Sequence, residues 1–341
     1  MGGDDAPSAV VEGALWARAE LGVGITLVGN EHTIGRQLGE AGRRGTGIRI
    51  HHCTEVVAMD EAPVKVLRHK KDASIMVAFD LVKRGEAEAV VSAGNSGATV
   101  GAAVLKLGRL KGVERPALAG VFPGVKGKVV LVDVGANVDT RPRQLFESGI
   151  MGDIFARSLL SMDHPKVGLL NIGEEGTKGT DRVKSAYALF AQGPFNFVGN
   201  VEGRHIFSGD VQVIVSDGFV GNVALKLSEG MAETISIMFE REMSRSLRSR
   251  LGSWLSKKAL ENFKRNLDYT EYGGALLLGV KGVGVVCHGE SPPKAIKNGI
   301  RAAANFAGSR AQERLEQGLA AFQSKGPLRS DGRGMIRRRG G

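Results

Sequence analysis

The 341-residue chain is 42% hydrophobic and 24% charged, enough apolar material for a sizeable core and unlike a disordered, collagen-like or coiled-coil chain. Its 49 glycines are spread between apolar runs and read as turns and backbone-lined pockets. The net charge of +10 is localised: residues 241–265 carry +6, residues 325–341 carry +5 and the remainder −1, a neutral body with two basic appendages suited to an anionic partner.

In chain order, apolar runs predict strands at 25–28, 48–53, 89–92, 117–122, 129–134, 167–172, 195–198, 211–215 and 283–287. Several are apolar on both faces, as in a parallel sheet covered by helices on each side. Helical patterns occupy 63–84, 96–108, 144–162 and 177–192, and Ser291-Pro292-Pro293 reads as a capped helix start. This alternation predicts a three-layer α/β/α sandwich formed by a single domain over 1–324. Met231, Ile235, Met238, Phe239 and Met243 recur at helical spacing, so a long helix is expected from about 220 to 250. Gly252-Ser253 is expected to interrupt it, with a second helix to about 267 completing a projecting hairpin. Residues 325–341 read as a basic disordered tail.

Two cysteines, Cys53 and Cys287, cannot make a disulfide framework or a Cys-rich metal site. His51 and His52 adjoin Cys53, but neighbouring strand residues face opposite ways and do not converge on a metal. No metal or other cofactor is implied. The opening segment is polar and acidic, and no run of about 18 apolar residues occurs, so the expected location is cytoplasmic.

Four glycine-containing turns follow predicted strands and precede helices. They hold Gly94, Asn95, Ser96 and Gly97; Asp133, Gly135 and Asn137; Gly173 and Lys178; and Asp217, Gly218, Gly221 and Asn222. Glycine at a strand end lets backbone N–H groups approach an anion that a helix N-terminus also attracts. The expected ligand is therefore phosphate or another oxyanion. No G-x-x-x-x-G-K-[ST], no strand-borne G-x-G-x-x-G and no G-x-S-x-G occurs, so neither P-loop chemistry nor a serine nucleophile is indicated.

These turns, with Met1-Gly2-Gly3-Asp4, Ala6-Pro7 and the run 199–203, resemble the bacterial phosphate acyltransferase family of phospholipid synthesis (PlsX) from residue 1 to about 310. The resemblance implies a fold related to phosphotransacetylase and the isocitrate/isopropylmalate dehydrogenases. It implies a homodimer that reversibly converts acyl-[acyl carrier protein] and inorganic phosphate into acyl phosphate. A membrane glycerol-3-phosphate acyltransferase would use that product. Members of the family begin with a short apolar strand before the motif that Met1 opens here, so a start assigned a few residues late is expected. The tail lies outside the family pattern.

The implied reaction needs no catalytic dyad, because phosphate is already anionic and a thiolate leaves readily; positioning and electrostatics should dominate. Lys178 is expected to pair with phosphate or the oxyanion, and Asn222 with the backbone of 218–221 to donate hydrogen bonds. Gly2, Gly3, Asp4, Asn95, Ser96 and Asn137 are expected in the same pocket. Asp133 and Asp217 serve either to orient donors or to cap helices. Leu247, Leu251, Trp254 and Leu255, among basic residues, form either core or dimer contacts or a foot on an anionic membrane, which the resemblance favours. Three alternatives stand beside this reading. One is a phosphotransacetylase-like enzyme using acyl-CoA. Another is a metal- and NAD-dependent dehydrogenase, for which only Glu174, Glu175 and Asp181 cluster. The third is a nucleic-acid binder using the basic tail, which the neutral body and 5% aromatic content disfavour.

Overall fold

The computed structural model describes residues 1–45 and 47–324, so the basic tail lies outside the described residues. The chain opens with α1 (Ser8–Leu21), β1 (Thr26–Gly29), α2 (Glu31–Gly45), β2 (Arg49–His52), α3 (Pro63–His69), α4 (Ser74–Lys83), β3 (Ala89–Ser92) and α5 (Ser96–Leu107). It continues through β4 (Ala117–Gly124), β5 (Gly127–Val132), α6 (Pro142–Leu159), β6 (Lys166–Leu170), α7 (Asp181–Phe190), β7 (Asn196–Val201) and β8 (Val213–Val215). The last part holds α8 (Gly218–Ser244), α9 (Leu247–Leu255), α10 (Lys257–Leu267), β9 (Ala275–Leu278), β10 (Val283–Val286), α11 (Pro293–Ala307) and α12 (Ala311–Ser324).

Eight strands form one sheet in the order β3-β10-β9-β4-β5-β8-β6-β7, while β1 and β2 pair in parallel with each other. Strand residues alternate between two cores. Val130, Val132, Val213 and Val215 pack with Phe146, Phe155 and Phe306 on one face, whereas Val129, Leu131 and Ile214 pack with Met76, Phe79 and Ala102 on the other. A sheet buried on both faces by helices is the expected α/β/α sandwich.

The sheet is not wholly parallel. β9 is antiparallel to both β10 and β4, and β4 is antiparallel to β5, which runs parallel with β8 and, through it, with β6 and β7. Thus β3, β10 and β4 run one way, and β9, β5, β8, β6 and β7 run the other. The sequence reading missed β9, because the apolar run 273–286 holds two strands folded back at Gly279 (φ 91).

Other boundaries move for local reasons. The helix expected over 63–84 is two, because Asp72 accepts Thr54 N (2.7 Å) and Oγ1 (2.6 Å) and ties the break to the chain after β2. Pro292, not the hydroxyl of Ser291, occupies the cap position of α11. The long helix breaks at Arg245, where Ser246 Oγ accepts Ser249 N (3.1 Å) and starts α9. Gly252 and Ser253, the expected interruption, lie inside α9.

Candidate active site

β5 ends in a turn wound around one carboxylate. Asp133 is 1% exposed; its Oδ1 accepts the N–H groups of Leu118 (3.0 Å), Gly135 (3.1 Å) and Ala136 (2.9 Å). Oδ2 accepts Asn137 N (2.8 Å) and Asn137 Nδ2 (2.9 Å). Burial pushes the Asp133 pKa up and these donors pull it back. Since both oxygens face only N–H groups, the turn holds the carboxylate form. Asn137 Nδ2 also donates to Pro116 O (2.6 Å), so this carboxamide serves the turn and its expected ligand role is not supported.

The first turn of α8 lies directly on that turn. Gly218 N donates to Asn137 O (2.8 Å), and a Cβ at residue 218 would stand 2.6 Å from the same oxygen. A Cβ at residue 221 would stand 1.8 Å from Asp133 O. Only glycine permits this approach. Asp217 caps α8 by accepting Val220 N (2.8 Å), and Gly221 N donates to Asp217 O (3.0 Å). The amides of Gly218, Val220 and Gly221, expected to face an anion, are thus engaged within the chain. The Asn222 carboxamide stands beside Gly135 (φ 139), where a Cβ would be 3.5 Å from its Cγ and Oδ1.

The loop from β6 to α7 completes this corner. Asn171 shapes it: its Nδ2 donates to Lys178 O (3.0 Å) and its Oδ1 accepts Ile172 N (2.8 Å). Asn200 Nδ2 donates to Glu175 O (3.0 Å) from β7. Lys178 precedes the Thr180 cap of α7, so it lies in the loop and not in the helix. Its stem passes over Gly173, where a Cβ would be 3.3 Å from Lys178 Cγ. Arg182 at the start of α7 pairs with Asp139, fastening the loop next to the Asp133 turn. Because β5, β8 and β6 are neighbours running the same way, all three turns leave one edge of the sheet. Among the described residues, the Lys178 ammonium, in the loop before α7, and the Asn222 carboxamide, in the second turn of α8, have no hydrogen-bond or ion-pair partner.

The remaining expected residues gather elsewhere. Gly2 and Gly3 lie against Val57 O, Ala93 O and Gly289 O, and Asp4 N donates to Gly289 O (3.0 Å). A Cβ at Gly94 would be 3.5 Å from the Gly2 Cα, and one at Gly97 would be 2.6 Å from Pro63 Cγ. Asn95 caps α5 by accepting Ala98 N (2.9 Å), and its Nδ2 donates to Met59 O and Glu61 O (3.0 Å each). Its polar groups are spent on structure, as in Asn137. Ser96 is half-buried at the start of α5. β3 and β10 run opposite to β5, so the turn holding Asn95 and Ser96 and the turn holding Asn137 leave opposite ends of their strands.

One face of α8 joins the corners. Glu229 lies seven residues after Asn222, about 10 Å along the same helix face. Burial pushes its pKa up, and it feels the charges of His288, Lys226 and Glu290. His288 and Glu290 flank Gly289, which touches Asp4. Glu229 escaped the sequence reading; its seven-residue spacing from Asn222 was the available signal.

At the far end, Leu247, Leu251, Trp254 and Leu255 are 83%, 59%, 71% and 71% exposed, and α9 buries no residue. They are not core residues of the single chain.

A family model described as "Fatty acid synthesis protein" matches residues 1–314. The chain is 52% identical over 307 residues to the phosphate acyltransferase of Citrifermentans bemidjiense, covering 90% of this chain and 87% of that one. It is 50% identical over 317 residues to the phosphate acyltransferase of Geobacter sulfurreducens, covering 93% and 92%. Among solved structures, a phosphotransacetylase from Streptococcus pyogenes is similar with a TM-score of 0.60 at 18% identity, covering 89% of this chain and 91% of that one. A branched-chain phosphotransacylase from Enterococcus faecalis gives 0.55 at 14% identity, covering 90% and 97%. At these identities the two structures show a shared fold.

Proposed function

Since this chain belongs to the phosphate acyltransferase family and is an acyltransferase with phosphate as acceptor, we propose that its donor is long-chain acyl-[acyl carrier protein] and that its acyl phosphate product enters phospholipid synthesis. The observation that supports the mechanism is the pair of unengaged donors, Lys178 and Asn222, at the corner built by Asp133, Gly135, Gly218 and Gly221. Lys178 holds the phosphate against the thioester, and the Asn222 carboxamide donates to the carbonyl oxygen as it becomes an oxyanion. A phosphate oxygen forms the new bond to the carbonyl carbon, the carbon–sulfur bond breaks, and the carrier thiolate leaves with the electron pair and takes up a proton from solvent. The reverse reaction uses the same contacts.

The exposed apolar stripe of α8, which includes Val223, Leu227, Met231, Ile235 and Met238, supports a homodimer. No helix among the described residues is long and apolar enough to cross a membrane. The apolar edge of α9 between Arg248, Arg250, Lys257 and Lys258 supports a peripheral foot on an anionic cytoplasmic membrane face, beside the membrane glycerol-3-phosphate acyltransferase that consumes acyl phosphate. The decisive assay supplies phosphate with long-chain acyl-[acyl carrier protein] or acyl-CoA in parallel. Phosphate-dependent release of free carrier, without turnover of acyl-CoA, is expected. Turnover of acyl-CoA alone overturns the assigned donor and favours the phosphotransacetylase-like alternative.

A further inference from the structure

The segment before β4 and the turn between β9 and β10 come to the same end of the sheet as the Lys178 corner. Ala117, which opens β4, pairs with Leu278 at the end of β9, and Ala119 pairs with Val132 at the end of β5. Leu110 N donates to Gly279 O (2.9 Å) and Lys281 N to Gly108 O (3.0 Å), while Asn137 of the Asp133 turn holds Pro116 O. Gln144 joins the start of α6 to them: its Oε1 accepts Arg141 N (2.8 Å) and its Nε2 donates to Glu114 Oε2 (3.3 Å). Residues 109–115, 141–143 and 279–282 are thus gathered beside the Asp133 turn.

They present Arg109, Lys111, Arg115, Arg141, Arg143 and Lys281, all exposed. Glu114 is the one carboxylate in these three segments, and the fold consumes it. Its side chain meets Arg143 Nε (3.4 Å) and Gln144, its N–H donates to Glu147 Oε2 (2.8 Å), and its carbonyl accepts Arg109. Among the described residues, the charged groups of Lys111, Arg115, Arg141 and Lys281 have no hydrogen-bond or ion-pair partner. Like charges gathered without counter-charges repel one another and add nothing to folding, but they attract an acidic surface. Val138 after the Asp133 turn, Ile172 in the Lys178 loop and Phe219 in the first turn of α8 are exposed at this same end. Apolar side chains flanked by arginine are the composition of a protein–protein contact.

We propose that this cationic sheet end docks the acidic protein that delivers the acyl thioester; the inference rests on the carrier-protein donor argued above and adds where that carrier sits. The basic hairpin is the competing surface. Ser244 closes α8 about 33 Å from Asn222, so a carrier on the tip would hold its thioester a helix-length from the reacting corner. Arg115 and Arg141 instead adjoin the turn on which α8 begins.

The test measures phosphate-dependent turnover of acyl-[acyl carrier protein] and of an acyl-pantetheine thioester that carries no protein. Wild type is compared with Arg115→Glu plus Arg141→Glu, and with Arg248→Glu plus Lys257→Glu at the hairpin; if the first pair does not fold, Arg115→Gln plus Arg141→Gln takes its place. Wild type turning over the carrier substrate establishes the donor independently of the surface; if it does not, that reading fails and the docking surface with it. The sheet-end reversal is expected to raise KM for the carrier substrate at least ten-fold at low salt, with kcat and the acyl-pantetheine reaction within two-fold. The neutral pair is expected to shift KM the same way by a smaller factor. Raising the salt should narrow the KM difference from wild type, as screening removes the attraction. An unchanged KM overturns the proposal while leaving the donor intact. A KM raised by the hairpin pair instead moves docking to α9 and α10, and equal loss with both thioesters shows that the cations act on the reacting corner; either result also overturns it.

Discussion

Asn95 and Asn222 stand at comparable places, each near the start of a helix that follows a glycine-bearing turn at a strand end. Their environments differ. Asn95 accepts one N–H from its own helix and donates to carbonyls of the loop before α3, so its carboxamide is consumed by the fold. Asn222 sits five positions into its helix, where backbone groups are already paired, and Asp217 performs the capping. The two corners show that residue type at a strand end does not assign a role. Counting hydrogen bonds does, because a donor already bonded inside the protein has little left to offer a substrate.

That comparison breaks most readily at Lys178. Lys178→Ala removes the corner's unpaired cation without removing any internal bond, so turnover should fall roughly 10³-fold or more while Tm stays within about a degree. Activity within a few-fold of wild type would remove Lys178 from the site. Steady-state turnover and a thermal melt on the same preparation decide it.

Next in size is the asparagine pair. Asn222→Ala should lower kcat by roughly 10²-fold with little loss of stability, as for an oxyanion donor. Asn95→Ala should do the opposite, costing about 1–2 kcal/mol of stability through its lost cap while the folded fraction keeps its kcat within a few-fold. If both variants lose kcat and neither loses stability, the distinction between the corners collapses.

The apolar tip of α9 provides a third comparison, with the buried sheet. Leu251→Glu combined with Trp254→Glu should abolish sedimentation with anionic vesicles while acyl transfer in solution persists within a few-fold, because α9 buries nothing in the chain. Unchanged vesicle binding would reject the foot.

Much of this molecule was legible because its strands are buried on both faces: Val129, Val130, Leu131 and Val132 have zero exposure and read as continuous apolar runs. Strand direction was not legible. A run such as 275–278 carries no mark of whether it pairs parallel or antiparallel, and β9 with β4 places the Asn95 and Asn137 turns at opposite ends of their strands. The glycines of the first turn of α8 were visible as glycines, but not that residue 221 must clear the Asp133 carbonyl; that needs the strand neighbour supplied by the fold. Lys178 stands out in the sequence because a cation before a helix N-terminus opposes the dipole and so calls for another reason to be there. Glu229 lay in a helix read as amphipathic, where one acidic residue looks like a solvated face.

Glu229 gives the finest comparison, with Asp133. Both are carboxyls whose pKa is raised by burial, but Asp133 is surrounded by N–H donors, whereas Glu229 has only the charges of His288 and Lys226 to offset its burial and Glu290 to oppose it. A raised pKa means that in the window above 4.5, the ordinary Glu value, the folded protein binds more protons than the unfolded chain. Stability must then fall as pH rises through that window. Glu229→Gln removes the titration, so Tm of the variant should gain on wild type as pH rises from 4.5 toward neutrality, with no divergence below 4.5. Parallel Tm profiles across that range would show that Glu229 is solvated in the folded protein, and the face linking the two corners would then be open to water at its centre.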